Sequence, residues 1–294
     1  MLSHPAPGPL ASALAAKRRD GAPGGATAAS VASGRGWRVL DVVCTSGPDD
    51  PAFEEQHDGV SLSLITEGGF VYRSGLGRAA MTPGAMLLGD AAACFRCGHE
   101  HGEGDRCLSF QFDREIVARA YSDLGARFRG FRAPRTVLAP RVVSLCKRVL
   151  DAPAEAREER AFAVLAAVLP TALEALRPTQ AAAPRDERRA LELARHLDEA
   201  FRERVTLADL ASHAGLSRFH LLRLFRQATG VTPHQYVLRR RIDWAAHRLL
   251  ETSAPVTTVA YDCGFEDLSN FNRTFRGTYG LSPRAFRRAR GAPL

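Results

Sequence analysis

Between residues 94 and 107 the sequence CFRCGHEHGEGDRC places three cysteines and two histidines in fourteen positions, out of six cysteines and nine histidines in the whole chain. Thiolates and imidazoles are zinc and iron ligands, and thiols also oxidise reversibly. Side chains alternate faces along a strand, so Cys97, His99 and His101 would share one face of CGHEH. GEGD reads as a turn. On the returning strand CLSFQF, Leu108, Phe110 and Phe112 occupy one face and Cys107 the other. A hairpin in that register would offer Cys97, His99, His101 and Cys107 to one tetrahedral ion, with zinc or iron as the cofactor. The spacing is not that of a zinc finger. Two further readings stay open: the same pocket could hold an organic ligand, or Cys94 and Cys97 could be small core residues, as free cysteines commonly are.

Such residues need a scaffold, and 294 residues are enough for two domains with separate cores. Apolar residues make up 45% and charged residues 24%, and no apolar run approaches the roughly 18 residues of a membrane span. The weakly apolar PLASALAA precedes the basic KRR instead of following one, so no signal peptide and a cytoplasmic location are expected. In a reducing compartment the cysteines should be thiols rather than disulfides. The net charge of +8 is unevenly spread: Arg218 to Leu294 holds thirteen arginines and five acidic residues, a net +8 by itself. A basic final quarter points to a polyanion, nucleic acid first. A solvated arginine-rich surface is the competing explanation, since only Lys17 and Lys147 are lysines.

Along the chain, residues 1–35 are rich in Ala, Gly, Pro and Ser without periodicity and read as a disordered tail. Residues 36–176 form the first domain, with short β-like segments such as SLSLI, GFVYR, AMLLG and CLSFQF, then helical periodicity from about residue 113. The strands suit a small barrel or sandwich. The helical stretch from about 141 to 176 could form a dimer interface or pack on that barrel. Residues 177–185 read as a linker and 186–290 as an all-α domain.

The final domain repeats itself. DLASHAGLS (209–217) aligns with TVAYDCGFE (258–266), and RLFRQATGVTP (223–233) with RTFRGTYGLSP (273–283). Ala211, Gly215, Arg223, Phe225, Arg226, Gly230 and Pro233 thus recur as Ala260, Gly264, Arg273, Phe275, Arg276, Gly280 and Pro283. In the first copy Thr206 caps a short helix, Gly215 ends it, and Ser217 caps the next, whose Leu221, Leu224 and Phe225 form a buried stripe. In the second, Gly264 makes the turn, Asp267 caps, and Phe271 and Phe275 are buried. A glycine turn between two short helices is a helix-turn-helix, whose second helix enters the DNA major groove. Thr232, Pro233 and Gln235 open a long helix between the copies; its eighteen residues from His234 to Glu251, about 27 Å, would set the two recognition helices one DNA turn apart, against successive major grooves.

Residues 186–290 resemble the DNA-binding domain of AraC/XylS-type transcription regulators, most of all in CGFEDLSNFNRTFR and GLSPRAFR. The resemblance implies a transcription factor whose N-terminal domain has a cupin-like barrel and senses a signal or mediates dimerisation. The segment TPGAMLLGDAAACFRCGHEH also resembles the second motif of cupin barrels, with Cys94 about where such barrels carry histidine, which makes Cys94 an alternate ligand. The expected fold class is therefore α+β: a cupin-like β-barrel with following helices, then two helix-turn-helix motifs joined by a long helix.

Base-reading positions follow from the faces that the buried stripes leave free. On the first recognition helix these are Arg218, Phe219, Leu222, Arg223 and Arg226, and on the second Ser269, Asn270 and Arg273, with Arg276 beyond. Arginine suits guanine, asparagine suits adenine, and an apolar side chain can meet a thymine methyl. Leu222 stands where the family often places a polar reader. Arg276, Arg239, Arg240, Arg241, Arg287, Arg288 and Arg290 are expected on phosphates. Either Arg223 or Arg273 could instead brace the fold through Asp209 or Asp262.

The functional reading is a sequence-specific regulator, not an enzyme, that senses a metal, an oxidant or a small molecule. Its partner is double-stranded DNA, with RNA polymerase and a second copy of the chain as further partners and no membrane. The alternative is a metal-dependent cupin enzyme or a DNA-alkylation-response protein fused to a DNA-binding domain. Against it, no compact four-cysteine site is evident, and Glu100 should point away from His99 and His101.

Overall fold

The structure is a computed structural model and describes residues 8–100, 102–174 and 184–289. The chain divides into two compact units, residues 1–138 with 145–181, and residues 139–144 with 182–294.

The first unit opens with α1 (Pro9–Asp20) and β1 (Ala26–Gly34), followed by β2 (Trp37–Cys44), β3 (Phe53–Gln56), β4 (Val60–Gly68), β5 (Phe70–Ser74), β6 (Gly77–Met81), β7 (Ala85–Gly89), β8 (Cys94–Gly98) and β9 (Asp105–Phe112). After these come α2 (Arg114–Asp123), β10 (Arg135–Val137), α3 (Pro140–Lys147), which straddles the division, and α4 (Arg157–Glu174). The strands form two antiparallel sheets, a six-stranded one in the order β1-β2-β9-β4-β7-β10 and a four-stranded one in the order β3-β8-β5-β6. Among the described residues no ladder joins the two, so the expected cupin-like barrel is not closed. Ile65 and Leu87 of the larger sheet pack on Phe70, Tyr72 and Met81 of the smaller. On its helix-covered side, Trp37 and Phe112 meet Phe162 of α4 edge-on at 6.2 and 5.7 Å. The apolar residues of α4 thus serve this unit's own core.

Residues 8–34, expected as disordered tail, are ordered instead. Pro9 opens α1, Gly21 closes it in the left-handed conformation at φ 60°, and Lys17, Arg18 and Arg19 in the last turn complement the helix dipole. The small residues of β1 supply little core, but its backbone pairs with β2 from Ala26 opposite Cys44 to Gly34 opposite Trp37. Ladder hydrogen bonds depend on backbone groups, which low side-chain complexity does not remove. Of the expected linker, residues 177–183 lie outside the described residues, and 184 and 185 already belong to a helix.

The second unit is helical: α5 (Pro184–Ala200), α6 (Leu207–His213), α7 (Arg218–Thr229), α8 (Pro233–Glu251), α9 (Val256–Asp262), α10 (Leu268–Tyr279) and α11 (Pro283–Ala289). The caps are those the sequence announces. Thr206 and Asp209 form a capping box on α6, Thr232 and Gln235 one on α8, and Ser217 accepts from the His220 N–H at the start of α7. Asp267 accepts from the Ser269 and Asn270 N–H groups at the start of α10. Leu221, Leu224 and Phe225 are buried, as are Phe271 and Phe275, whose rings pack with Tyr279 and Phe286. Among the described residues no helix is long and apolar enough to cross a membrane.

Candidate nucleic-acid interface and a buried cysteine-histidine cluster

Burying one stripe of α7 leaves Arg218, Phe219, Arg223 and Arg226 exposed, with Leu222 half-buried. Phe219 is 88% exposed. On α10 the corresponding side carries exposed Ser269, Arg273 and Arg276 and half-buried Asn270. Arg273 Nη2 donates to Asn270 Oδ1 at 3.2 Å. Asp209 is engaged by Thr206 and Arg273 by Asn270, and among the described residues no ion pair joins Arg223 or Arg273 to Asp209 or Asp262, the brace that the sequence left open. Asn272, also exposed, was missed by the sequence reading. It matches Leu222 in the repeat, and the fifty-residue offset alone could have found it.

The phosphate assignments need correction at three arginines. Arg240 Nε lies 2.6 Å from Asp198 Oδ1, and both side chains are largely covered. Arg241 donates to the carbonyls of Phe201 at 2.6 Å and Glu203 at 2.8 Å, satisfying the chain after α5. Arg287 is buried and donates to the carbonyls of Leu249 and Ala254, so it closes the end of α8. Three consecutive helical residues span about 200° of the helix, so the run 239–241 could not all face one side. Arg239 is half-buried, and burial lowers its pKa. Arg288 and Arg276 are exposed, while Arg290 lies outside the described residues.

The cysteine-histidine segment does not form the expected hairpin. β8 pairs with β3 and β5 in the smaller sheet, whereas β9 pairs with β2 and β4 in the larger. The loop between them carries the chain from one sheet to the other, so Cys97 and Cys107 are not ladder neighbours. Cys94 is exposed and Cys97 is buried, since three residues along a strand reverse the face. His101 lies outside the described residues. The hairpin that would bring Cys97, His99, His101 and Cys107 to one ion is thus not formed, and among the described residues a different grouping comes together.

That grouping is Cys44, His99 and Asp105, all buried, with one ligand atom of each lying within 4.8 Å of the others. Cys44 faces Asp105 directly in the β2–β9 register, and His99 Nε2 lies 2.6 Å from Asp105 Oδ1. Burial pulls the His99 imidazolium down, but its bonds with Asp105 and Cys44 outweigh that and push its pKa up to about 9. Burial raises the Cys97 and Cys107 thiols well above their ordinary range, and the Asp105 charge adds to it. As neutral thiols they are poor nucleophiles. Neither Cys44, fifty residues upstream, nor Asp105, read as a turn residue, gave a sequence signal. Only strand register joins them.

A family model described as "Helix-turn-helix domain" matches residues 210–289. The chain is 39% identical over 88 residues to "Probable transcriptional regulator LumQ" of Photobacterium leiognathi, covering 30% of this chain and 36% of that protein. It is 34% identical over 145 residues to "HTH-type transcriptional activator RhaS" of Citrobacter koseri, covering 49% and 50%. Among solved structures, an AraC-type DNA-binding regulator from Chromobacterium violaceum is 30% identical over 36% of this chain and 95% of that one, with a TM-score of 0.33. The matches span about a third to a half of the curated relatives' length. The segment 210–289, with its paired helices α6–α7 and α9–α10, is a helix-turn-helix domain.

Proposed function

We propose that this chain is a sequence-specific transcription regulator that reads double-stranded DNA with α7 and α10 and takes its input through the β-sheet unit. One observation carries the reading: the second helix of each helix-turn-helix buries its apolar stripe and exposes an equivalent arginine, Arg223 and Arg273, beside other base-competent side chains. Phe219 suits a thymine methyl, and Asn270 and Asn272 suit adenine. Arg288 and Arg276 suit phosphates. The relatives named as transcriptional regulator and transcriptional activator support the same output. Support for an input function comes from the buried polar pairs of the first unit, Ser63–Ser109, His57–Tyr72 and His99–Asp105, which a purely structural core would more cheaply replace with apolar contacts.

The test is selection of duplexes from a random library by the full chain, followed by anisotropy titrations. The expected result is an enriched motif with two half-sites about ten base pairs apart. Recovery of unenriched sequence, with binding that depends on salt alone, would reduce the protein to a non-specific polyanion binder and overturn the proposal.

A further inference from the structure

We propose that Cys44, His99 and Asp105 form a binding site for one thiophilic divalent metal ion, zinc by the chemistry of its donors. A thiolate, an imidazole and a carboxylate together match zinc's borderline character, and the three donor atoms already lie within 4.8 Å of one another. Donors sharing a tetrahedral zinc stand about 3.3 to 3.8 Å apart. The 2.6 Å contact between His99 Nε2 and Asp105 Oδ1 is the one that must open, so the ion would replace that hydrogen bond.

The backbone prepares the set. Gly104, at φ 70°, approaches the Cys44 carbonyl so closely that a Cβ there would sit 2.7 Å from it, and its N–H donates to the Ser46 carbonyl at 2.8 Å. These contacts clamp the start of β9 onto the end of β2 and hold Asp105 opposite Cys44. A second thiol follows on each side at strand spacing. Cys97 precedes His99 by two residues, Cys107 follows Asp105 by two, and both pack in the core between the sheets. α1 covers this end of the unit: Leu10 and Leu14 flank Gly104, Lys17 pairs with Asp50 at 2.7 Å, and Arg18 pairs with Glu103 at 3.2 Å. Metal bound here would bridge the larger sheet, through Cys44 and Asp105, to the end of β8, through His99.

The inference stands apart from the DNA reading, and its test needs no DNA. The full chain, reduced and stripped of metal, is titrated with cobalt(II), whose tetrahedral thiolate complexes show a sulfur-to-metal charge-transfer band and intense visible bands. The expected result is saturation at one cobalt per chain with both features, and bleaching by one equivalent of zinc. Cys44→Ser should lose the charge-transfer intensity contributed by that sulfur, and Asp105→Asn should weaken binding, while Cys94→Ser, at an exposed thiol, should change neither. Absence of a charge-transfer band in the unsubstituted chain would overturn the site whatever the variants do. A band that survives in folded Cys44→Ser at full intensity but vanishes in Cys97→Ser would overturn this donor set.

Discussion

Arg273 Nη2 donates to Asn270 Oδ1 across 3.2 Å, so two side chains of α10 with base-reading chemistry hold one another in place. Arg273→Ala should cost about 1 to 3 kcal/mol at one base position and relax specificity there. Asn270→Ala should cost a similar amount, partly by releasing Arg273. The double variant should lose less than the two together, because each single substitution already breaks the shared contact. Anisotropy titrations against duplexes varied one position at a time measure this. A uniform, salt-dependent loss across all sequences would make Arg273 a phosphate contact instead.

Arg287 and Arg288 are neighbours with opposite expected effects. Arg287 is buried on two carbonyl oxygens that close α8, and Arg288 is exposed. Arg287→Ala should lower unfolding stability by about 2 kcal/mol or more, because it strands buried acceptors. Arg288→Ala should leave stability unchanged and reduce the salt slope of DNA binding by about 1. Urea unfolding and salt-dependent titration of both variants separate the roles, and equal stability losses would refute the distinction.

What was legible in the sequence followed range. The capping boxes Thr206–Asp209 and Thr232–Gln235, the turn glycines and the stripe Leu221–Leu224–Phe225 are interactions among residues two to four apart, and their pattern reports them directly. The order of β1 was hidden because its pairing resides in its backbone while its side chains are small. The buried cluster was hidden more deeply. Only His99 of its three members was singled out, since Cys44 reaches Asp105 through the β2–β9 ladder and the presumed turn after His99 is a crossing between sheets. Arg240, Arg241 and Arg287 were misassigned because arginine composition reports charge and not which carbonyls await a donor.

Two turn glycines at equivalent repeat positions should respond unequally to alanine. Gly215 sits at φ 62° with nothing within 4 Å of an added Cβ, whereas at Gly264, φ 91°, that atom would lie 2.5 Å from the Arg202 carbonyl oxygen. Gly215→Ala should cost about 1 kcal/mol for the left-handed conformation alone. Gly264→Ala must also displace backbone and should cost on the order of 3 kcal/mol. Thermal unfolding of the two variants checks the order, and equal costs would show that the contact relaxes freely.

His57 gives the first unit a defined acid sensitivity. It is buried, stacks on Phe95 at a ring separation of 4.2 Å, and shares a 2.8 Å hydrogen bond with the Tyr72 hydroxyl. Burial lowers its pKa from 6.5 to about 4, with the Asp58 charge opposing. Between those values the unfolded chain binds a proton that the folded chain refuses. Stability from this group is therefore complete above about pH 6.5, falls as pH drops toward 4, and levels below it, a loss on the order of 3 kcal/mol. His57→Gln keeps a hydrogen-bonding partner for Tyr72 and removes the titration. Its urea midpoint should fall less steeply than that of the unsubstituted chain from pH 6.5 to 4, and the two should run parallel above pH 7. Parallel curves throughout would mean that His57 takes up its proton in the folded unit, which its enclosure between Tyr72 and Phe95 argues against.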